Sequence, residues 1–143
     1  MPIKIWYESL PKLPQILWPI VELNLHFKDV SLPQRIHALV DSGANRSVLH
    51  PLIAEAIGFD RRKLGKPKTG GFSASGSYKA WILPELIDVY MYGYTFSVRF
   101  TVIDNKQLIW PCILGEDSIF EFARLDFQKY KGYFEIGFRR DIN

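Results

Sequence analysis

The chain from Val21 to Phe27 alternates between apolar and polar side chains, which is the two-residue period of a strand with one buried face. The same period returns in Arg35–Val40, where every second residue is apolar. We predict a strand over each of these segments and a turn over residues 28–33 between them. The second strand ends at Asp41, so an acid directly follows a buried apolar run.

Two segments have helical rather than strand-like spacing. Apolar residues in Leu49–Ile57 recur every three or four positions. Pro51 near the start of that segment and Gly58 just after its end are typical start and stop signals of a helix. Residues Glu116–Ala123 predict a second short helix.

The remaining pattern predicts strands and turns, and therefore an all-β fold with one or two short helices. The predicted elements are a polar loop over 60–71, a hairpin over 72–82 that turns at 74–76, and strands over 86–92, 94–103, 109–114 and 132–138. The pattern leaves open whether the last strand pairs within the chain or with a second copy. Residues 1–18 hold three of the nine prolines and are interpreted as an extended N-terminal arm ahead of a domain of residues 19–143.

Composition narrows the range of partners. A chain of 143 residues with 48% hydrophobic side chains suits one domain with a sizeable core. A net charge of +3, scattered along the chain, gives no reason to expect a nucleic-acid partner. Cys112 is the single cysteine and the first thirty residues lack a signal-peptide pattern, so we expect a cytoplasmic protein. No apolar run approaches the roughly 18 residues that a membrane span requires, so no membrane partner is expected.

The segment that begins at Asp41 has two interpretations. In an ordinary surface turn, Asp and Ser bond backbone amides while Gly supplies permissive dihedral angles. The apolar residues on both sides of the segment favour instead a turn packed against protein. A buried carboxylate is costly unless it is paired or hydrogen-bonded, and a catalytic role would justify that cost.

Three features together resemble the retropepsin-like aspartic proteases. Residues 38–49 read ALVDSGANRSVL and resemble the family's active-site segment, in which apolar residues precede Asp-Thr/Ser-Gly-Ala. Residues 112–120 read CILGEDSIF and are similar to its late signature of two large apolar residues and a glycine ahead of a helix. The turn at 74–76 lies between them, where the family has its substrate-covering flap. The resemblance extends over residues 21–138 and implies a closed or orthogonal β-barrel of the acid-protease type.

The resemblance implies an aspartic endopeptidase that acts as a homodimer. The family's chemistry needs two aspartates and this chain has one Asp-Ser-Gly, so each copy would supply one Asp41 to a catalytic dyad. Ser42 and Gly43 are implied as the other members of the catalytic loop. The substrate contacts implied for an extended peptide are Ala44, Asn45 and, in the flap, Ala74, Ser75 and Gly76. A water activated by two carboxylates requires no metal and no cofactor.

Asn45 and Arg46 depart from the family pattern, because many members have an acid or a small polar group there. We therefore expect the contacts that bind the substrate backbone and lock the dimer to differ in this chain, and its specificity is left undetermined.

The sequence leaves rival functions open. The same barrel could serve as a dimerisation or peptide-binding module without proteolysis, since a fold does not fix a function. A serine hydrolase could use Ser42 or Ser47 with His50, although the Gly-x-Ser-x-Gly elbow is missing. The basic residues of 61–68 could bind nucleic acid, but a solvated basic loop is the favoured interpretation.

Overall fold

The computed structural model of the chain describes residues 2–73, 76–105 and 108–142. These residues form mainly strands, with two short α-helices and two 3-10 helices. The strands are β1 (Ile3–Trp6), β2 (Glu8–Leu10), β3 (Leu13–Trp18), β4 (Ile20–Phe27), β5 (Val30–Ser31), β6 (Ile36–Val40), β7 (Val48–Leu49), β8 (Lys68–Ser73), β9 (Gly76–Ile82), β10 (Ile87–Met91), β11 (Tyr94–Val98), β12 (Thr101–Asp104), β13 (Cys112–Leu114), β14 (Ala123–Gln128) and β15 (Tyr133–Phe138). The helices are α1 (Pro51–Ile57) and α2 (Ile119–Phe122), and the 3-10 helices are Arg61–Lys63 and Lys129–Lys131.

The largest sheet curls into a half-barrel with the strand order β11-β10-β4-β6-β13-β7-β12-β9-β8, and β5 pairs with β4. At its centre, β6 lies between β4, to which it is antiparallel, and β13, to which it is parallel. On the far side of β13, strand β7 pairs with it antiparallel and then parallel with β12. Segments that are distant in sequence therefore meet around the end of β6.

The period of two in β4 and β6 produces the main core. Val21, Leu23 and Leu25 on β4 are each at most 1% exposed, and Ala38 and Val40 of β6 pack in the same cluster. Burial of each large aliphatic side chain contributes about 1.5–3 kcal/mol. The two strands predicted from this alternation are confirmed to within one residue at each end.

Helix α1 is defined by its two caps. The His50 ring accepts a hydrogen bond from the Leu52 amide, Pro51 occupies the first turn, and Gly58 ends the helix with a left-handed φ of 119°. The helix begins two residues later than predicted because residues 48–49 pair instead with β12 and β13. Neither α-helix in the described ranges is long and apolar enough to cross a membrane.

Tertiary pairing changes several predicted elements. The single strand predicted over 94–103 is two strands, because the chain leaves the edge strand β11 and crosses to β7 and β9 as β12. The fully buried Phe100 lies at this crossing, where its carbonyl accepts a hydrogen bond from the Leu83 amide. The loop predicted over 60–71 contains a 3-10 helix and the start of β8, and the second helix is only four residues long. Strand β14 was not predicted at all.

The two ends of the chain form a sheet of their own, in the order β1-β15-β14. Strand β1 pairs antiparallel with β15 over all four of its residues, so the last strand finds its partners within the same chain. The rest of the N-terminal arm, residues 8–18, forms the hairpin β2-β3. The half-buried Trp18 at its end contacts the buried Trp110 edge-to-face, with ring centroids 5.4 Å apart.

Candidate active site

Asp41 lies where the parallel strands β6 and β13 both end. Its amide donates a hydrogen bond of 2.9 Å to the Leu114 carbonyl, which continues the pairing of Val40 with Leu114 by one residue. The buried run Ala38–Val40 anchors it from behind, while the Asp41 side chain is half-buried. The acid is thus fixed by a rigid sheet and open to one side.

The loop after the acid folds back onto it. The Gly43 amide donates to Asp41 Oδ1 at 2.9 Å, and the Ala44 amide donates to the Asp41 carbonyl at 3.2 Å. Within the described residues, Oδ2 of Asp41 accepts no hydrogen bond. Ser42, Gly43 and Asn45 are exposed in the single chain. The turn expected to be packed against protein is therefore buried only on its strand side.

Gly115 sets the position of this loop from below. A Cβ atom at Gly115 would lie 2.4 Å from the Ala44 carbonyl oxygen and 3.0 Å from that of Arg46, so only glycine fits without movement. The next amide, that of Glu116, donates to the Ala44 carbonyl at 2.8 Å. The late segment predicted to carry a signature glycine thus lies directly against the acid loop.

A buried polar network joins the loop to the start of α2. Ser47 is fully buried, and its hydroxyl donates to Asp117 Oδ1 at 2.7 Å and accepts from the Gly115 amide at 2.9 Å. The Ser47 amide also donates to Asp117 Oδ1 at 2.8 Å, and the Ser118 hydroxyl lies 2.6 Å from that of Ser47. The sequence reasoning missed this network, and the only signal for it was the polar run of residues 116–118 after a buried strand.

This geometry argues against a serine hydrolase built on Ser47 and His50. The Ser47 hydroxyl is engaged by Asp117, Ser118 and the Gly115 amide. His50 Nδ1 accepts the Leu52 amide at 3.1 Å as the cap of α1. The base that would have to activate the serine is therefore occupied in holding a helix.

Strands β8 and β9 form the hairpin predicted as a flap. They are antiparallel, with a register shift between Thr69 and Gly71, and the last described pair joins Ser73 to Gly76. Gly76 begins β9, whereas Ala74 and Ser75 lie outside the described residues. Strand β9 also pairs with β12, which connects the hairpin through β7 to the acid loop.

An apolar cluster lies on the same face of β6 as the acid. Leu39 is two residues from Asp41 and is paired with Ile113, so both side chains point to the face from which Asp41 projects. Leu39 is buried against Trp110, and Trp18 of the β2-β3 hairpin packs on the same cluster. An apolar cluster therefore lies on that face, starting two residues before the acid.

On its other side the loop borders a cavity of about 340 Å³. The cavity lies between the loop and the adjoining strands β7, β9 and β12. Its lining consists of Gly43, Ala44, Asn45, Arg46, Val48, Ala80, Thr101 and Ile103. Two predicted substrate-binding residues, Ala44 and Asn45, thus share one cavity, while the prediction for Ala74 and Ser75 lies outside the described residues.

The ionisable groups around β6 are held by local partners. Hydrogen bonds from His37 and then Arg35, both at 3.2 Å, lower the pKa of Glu22 below its ordinary value. Full burial raises the pKa of the Cys112 thiol. This residue of β13 therefore packs in the core as an apolar side chain and is not a nucleophile.

Comparison with solved structures finds the same fold in aspartic proteases. A retropepsin-like aspartic protease from Rickettsia conorii aligns with 96% of this chain and 93% of its own, with a TM-score of 0.56 and 16% identity. The retroviral protease-like domain of Ddi1 from Leishmania major covers 85% of this chain and 95% of its own, with a TM-score of 0.54 and 19% identity. The EIAV protease in complex with the inhibitor HBY-793 covers 73% and 86%, with a TM-score of 0.52 and 21% identity. No family model and no curated protein matches the chain.

These likenesses show that the chain has the retropepsin-like fold, and they confirm the resemblance identified from residues 38–49 and 112–120. At identities of 16 to 21% they concern the fold alone.

Proposed function

We propose that two copies of this chain form a symmetric dimer that hydrolyses peptide bonds with a water held between their Asp41 carboxylates. The observation that carries the proposal is the setting of Asp41. The acid stands at the end of two parallel strands, with Oδ1 held by the Gly43 amide and Oδ2 without a partner among the described residues. Ser42 and Gly43 are exposed beside it, which leaves this side available to a second copy.

The dimer follows from the chemistry of one acid per chain. Two carboxylates a few ångströms apart cannot both be ionised cheaply, so the pair shares one proton. The ionised Asp41 takes a proton from the water as it attacks the peptide carbonyl, and the protonated Asp41 donates to the oxygen that becomes negative. Collapse of the tetrahedral intermediate then transfers a proton to the leaving amine. No covalent enzyme intermediate forms.

Neighbouring groups support these steps. The Gly43 amide keeps Asp41 in one orientation, so little reorganisation is needed in the transition state. Ser42 would bond across the twofold axis and brace the two loops. The β8-β9 hairpin would close over the substrate, exclude bulk water and add backbone hydrogen bonds to an extended peptide.

The substrate would lie extended across the end of β6, so its side chains alternate in direction. One set would meet the apolar cluster at Leu39 and Ile113, and the other would meet the cavity beside Ala44 and Asn45. We also infer a cytoplasmic location, because the only cysteine is buried and the fold needs no disulfide. Co-fractionation with membranes instead of cytosolic markers would overturn that inference.

The decisive experiment measures cleavage and mass together. The purified chain is incubated with casein and a mixed peptide library at pH 4 to 7, and its mass is taken by light scattering. We expect a dimer that cleaves peptides, and an Asp41→Asn variant that keeps the dimer but cleaves nothing. Asp29→Asn is the matched control, since Asp29 is an exposed turn residue.

The results separate the alternatives. A stable dimer that binds peptides but cleaves none would favour a peptide-binding or dimerisation module. Cleavage by Asp41→Asn at the wild-type rate, or cleavage by a strict monomer, would refute the dyad.

A further inference from the structure

The cavity beside the acid loop has an apolar floor with one polar group in it. Thr101 and Ile103 alternate along β12 and face the same side, and the register places Val48 beside Thr101 and Ala80 beside Ile103. These side chains are small or aliphatic, so the floor accepts methylene groups.

The hydroxyl of Thr101 is the unexplained group in this floor. Thr101 is 6% exposed, and its Oγ1 is buried without a hydrogen-bond partner among the described residues. A buried hydroxyl without a partner is unfavourable, and most buried polar atoms in proteins are bonded. The oxygen is covered in the free chain, so a ligand in the cavity would reach it only after the Thr101 side chain rotates about χ1.

Arg46 supplies a positive charge at the rim of the same cavity. Its side chain is exposed, and within the described part of the chain it forms no ion pair. Other arginines are engaged, for example Arg62 with Asp60 and Arg139 with Asp141. None of the described lining residues is acidic, and Arg46 is the one charged residue among them.

We propose that this cavity is a substrate subsite that selects a glutamate side chain close to the cleaved bond. The inference rests on the proposed peptidase function and names its substrate class. The methylenes of glutamate would pack on Val48 and Ile103, and its carboxylate would accept hydrogen bonds from Arg46 and Thr101. Because Gly43 both lines the cavity and bonds Asp41, the selected residue lies within about two positions of the scissile bond.

The chemistry ranks the competing side chains. Glutamine would keep the bond to Thr101 but lose the ionic contact, so it should follow glutamate. Leucine would fill the floor and leave both polar groups unpaired. Lysine would place a like charge next to Arg46 and should be rejected most strongly.

The test uses peptides that differ only at one residue near the cleaved bond: glutamate, glutamine, leucine or lysine. We expect kcat/KM for the glutamate peptide to exceed that for the lysine peptide by at least about tenfold in low salt, with the preference weakening as salt rises. Arg46→Glu should invert the order of these two peptides, and Arg46→Lys should preserve it. Arg140→Glu is the control, because this exposed residue is not in the cavity lining.

Thr101→Val tests the hydroxyl separately. It removes a group that has no partner in the free chain, so the melting temperature should not fall, while the preference for glutamate over leucine should drop by up to about tenfold. Binding is measured in parallel by fluorescence anisotropy of the labelled peptides with the Asp41→Asn variant, which reports on the subsite without turnover.

These readouts separate failure of the subsite from failure of the peptidase. Cleavage without preference for glutamate, or a preference unchanged by Arg46→Glu, would overturn the subsite and leave the peptidase intact. Selective binding of the glutamate peptide without any cleavage would support the subsite and refute the peptidase.

Discussion

Replacing Gly115 with alanine should displace the loop that follows Asp41 while leaving the rest of the fold in place. The new Cβ would lie 2.4 Å from the Ala44 carbonyl oxygen, whereas unstrained contacts of this kind begin near 3.4 Å. Backbone must therefore move by roughly 1 Å, since neither Gly115 nor Ala44 can relieve the clash by side-chain rotation. The movement falls on the loop that follows Asp41.

The cost can be worked from two terms. Overpacking of this kind costs about 1–3 kcal/mol, and loss of the 2.8 Å hydrogen bond from the Glu116 amide to Ala44 costs about 1 kcal/mol more. We expect unfolding free energy to fall by about 2–4 kcal/mol. A displacement of about 1 Å at a catalytic group lowers the rate by about a hundredfold, so activity should suffer more than folding.

The assay is urea unfolding at one fixed protein concentration, because dimerisation is linked to stability, together with kcat/KM on a cleaved peptide. Gly137→Ala is the matched control, since a Cβ there meets nothing within 4 Å. That control should change stability by less than about 1 kcal/mol. Wild-type stability and activity in Gly115→Ala would show that the loop is not held by this contact.

The buried network, the ionisable groups and the thiol give three further predictions. Ser47→Ala leaves buried partners unpaired and should cost about 2–3 kcal/mol in urea unfolding, against under about 0.5 kcal/mol for Ser9→Ala at an exposed position; equal losses would contradict the network. Because the pKa of Glu22 is lowered, its contribution to stability is complete above its ordinary pKa of 4.5 and is lost as pH falls through the lowered value. Glu22→Gln should therefore flatten the acid limb of a thermal-melt profile, and an unchanged limb would exclude this contribution. Cys112 should resist iodoacetamide at pH 8 in the native protein and react once urea unfolds it; rapid native labelling would mean that the site opens.

Part of the candidate site could be predicted because its signals are local. The alternation in residues 21–27 and 35–40 placed the strand that carries Asp41, and the glycine after the acid predicted the tight turn. The polar environment of Ser47 could not be predicted, since its partner Asp117 is 70 residues away. Sequence reasoning therefore treated a structural hydroxyl as a possible nucleophile.

The difference between local signals and long-range pairing also explains an error in the predicted strands. Residues 94–103 form a continuous β-branched and aromatic run, and no local feature marks the point where the chain passes from β11 to β12. In that case propensity yields to pairing. Strand β14 is different, because ARLDFQ alternates apolar and polar residues and this local signal was missed; in the structure all six of its residues pair with β15.

The amino-acid order alone determined the alternating strands, the caps of the helix and the single Asp-Ser-Gly, because backbone sterics and burial of alternate residues act between near neighbours. The tertiary structure alone decided which strands flank the acid, why position 115 must be glycine, and that an arginine and an unpaired threonine hydroxyl border one cavity. Those facts arise from contacts between segments far apart in the chain, and such contacts are set by the packing of the whole sheet.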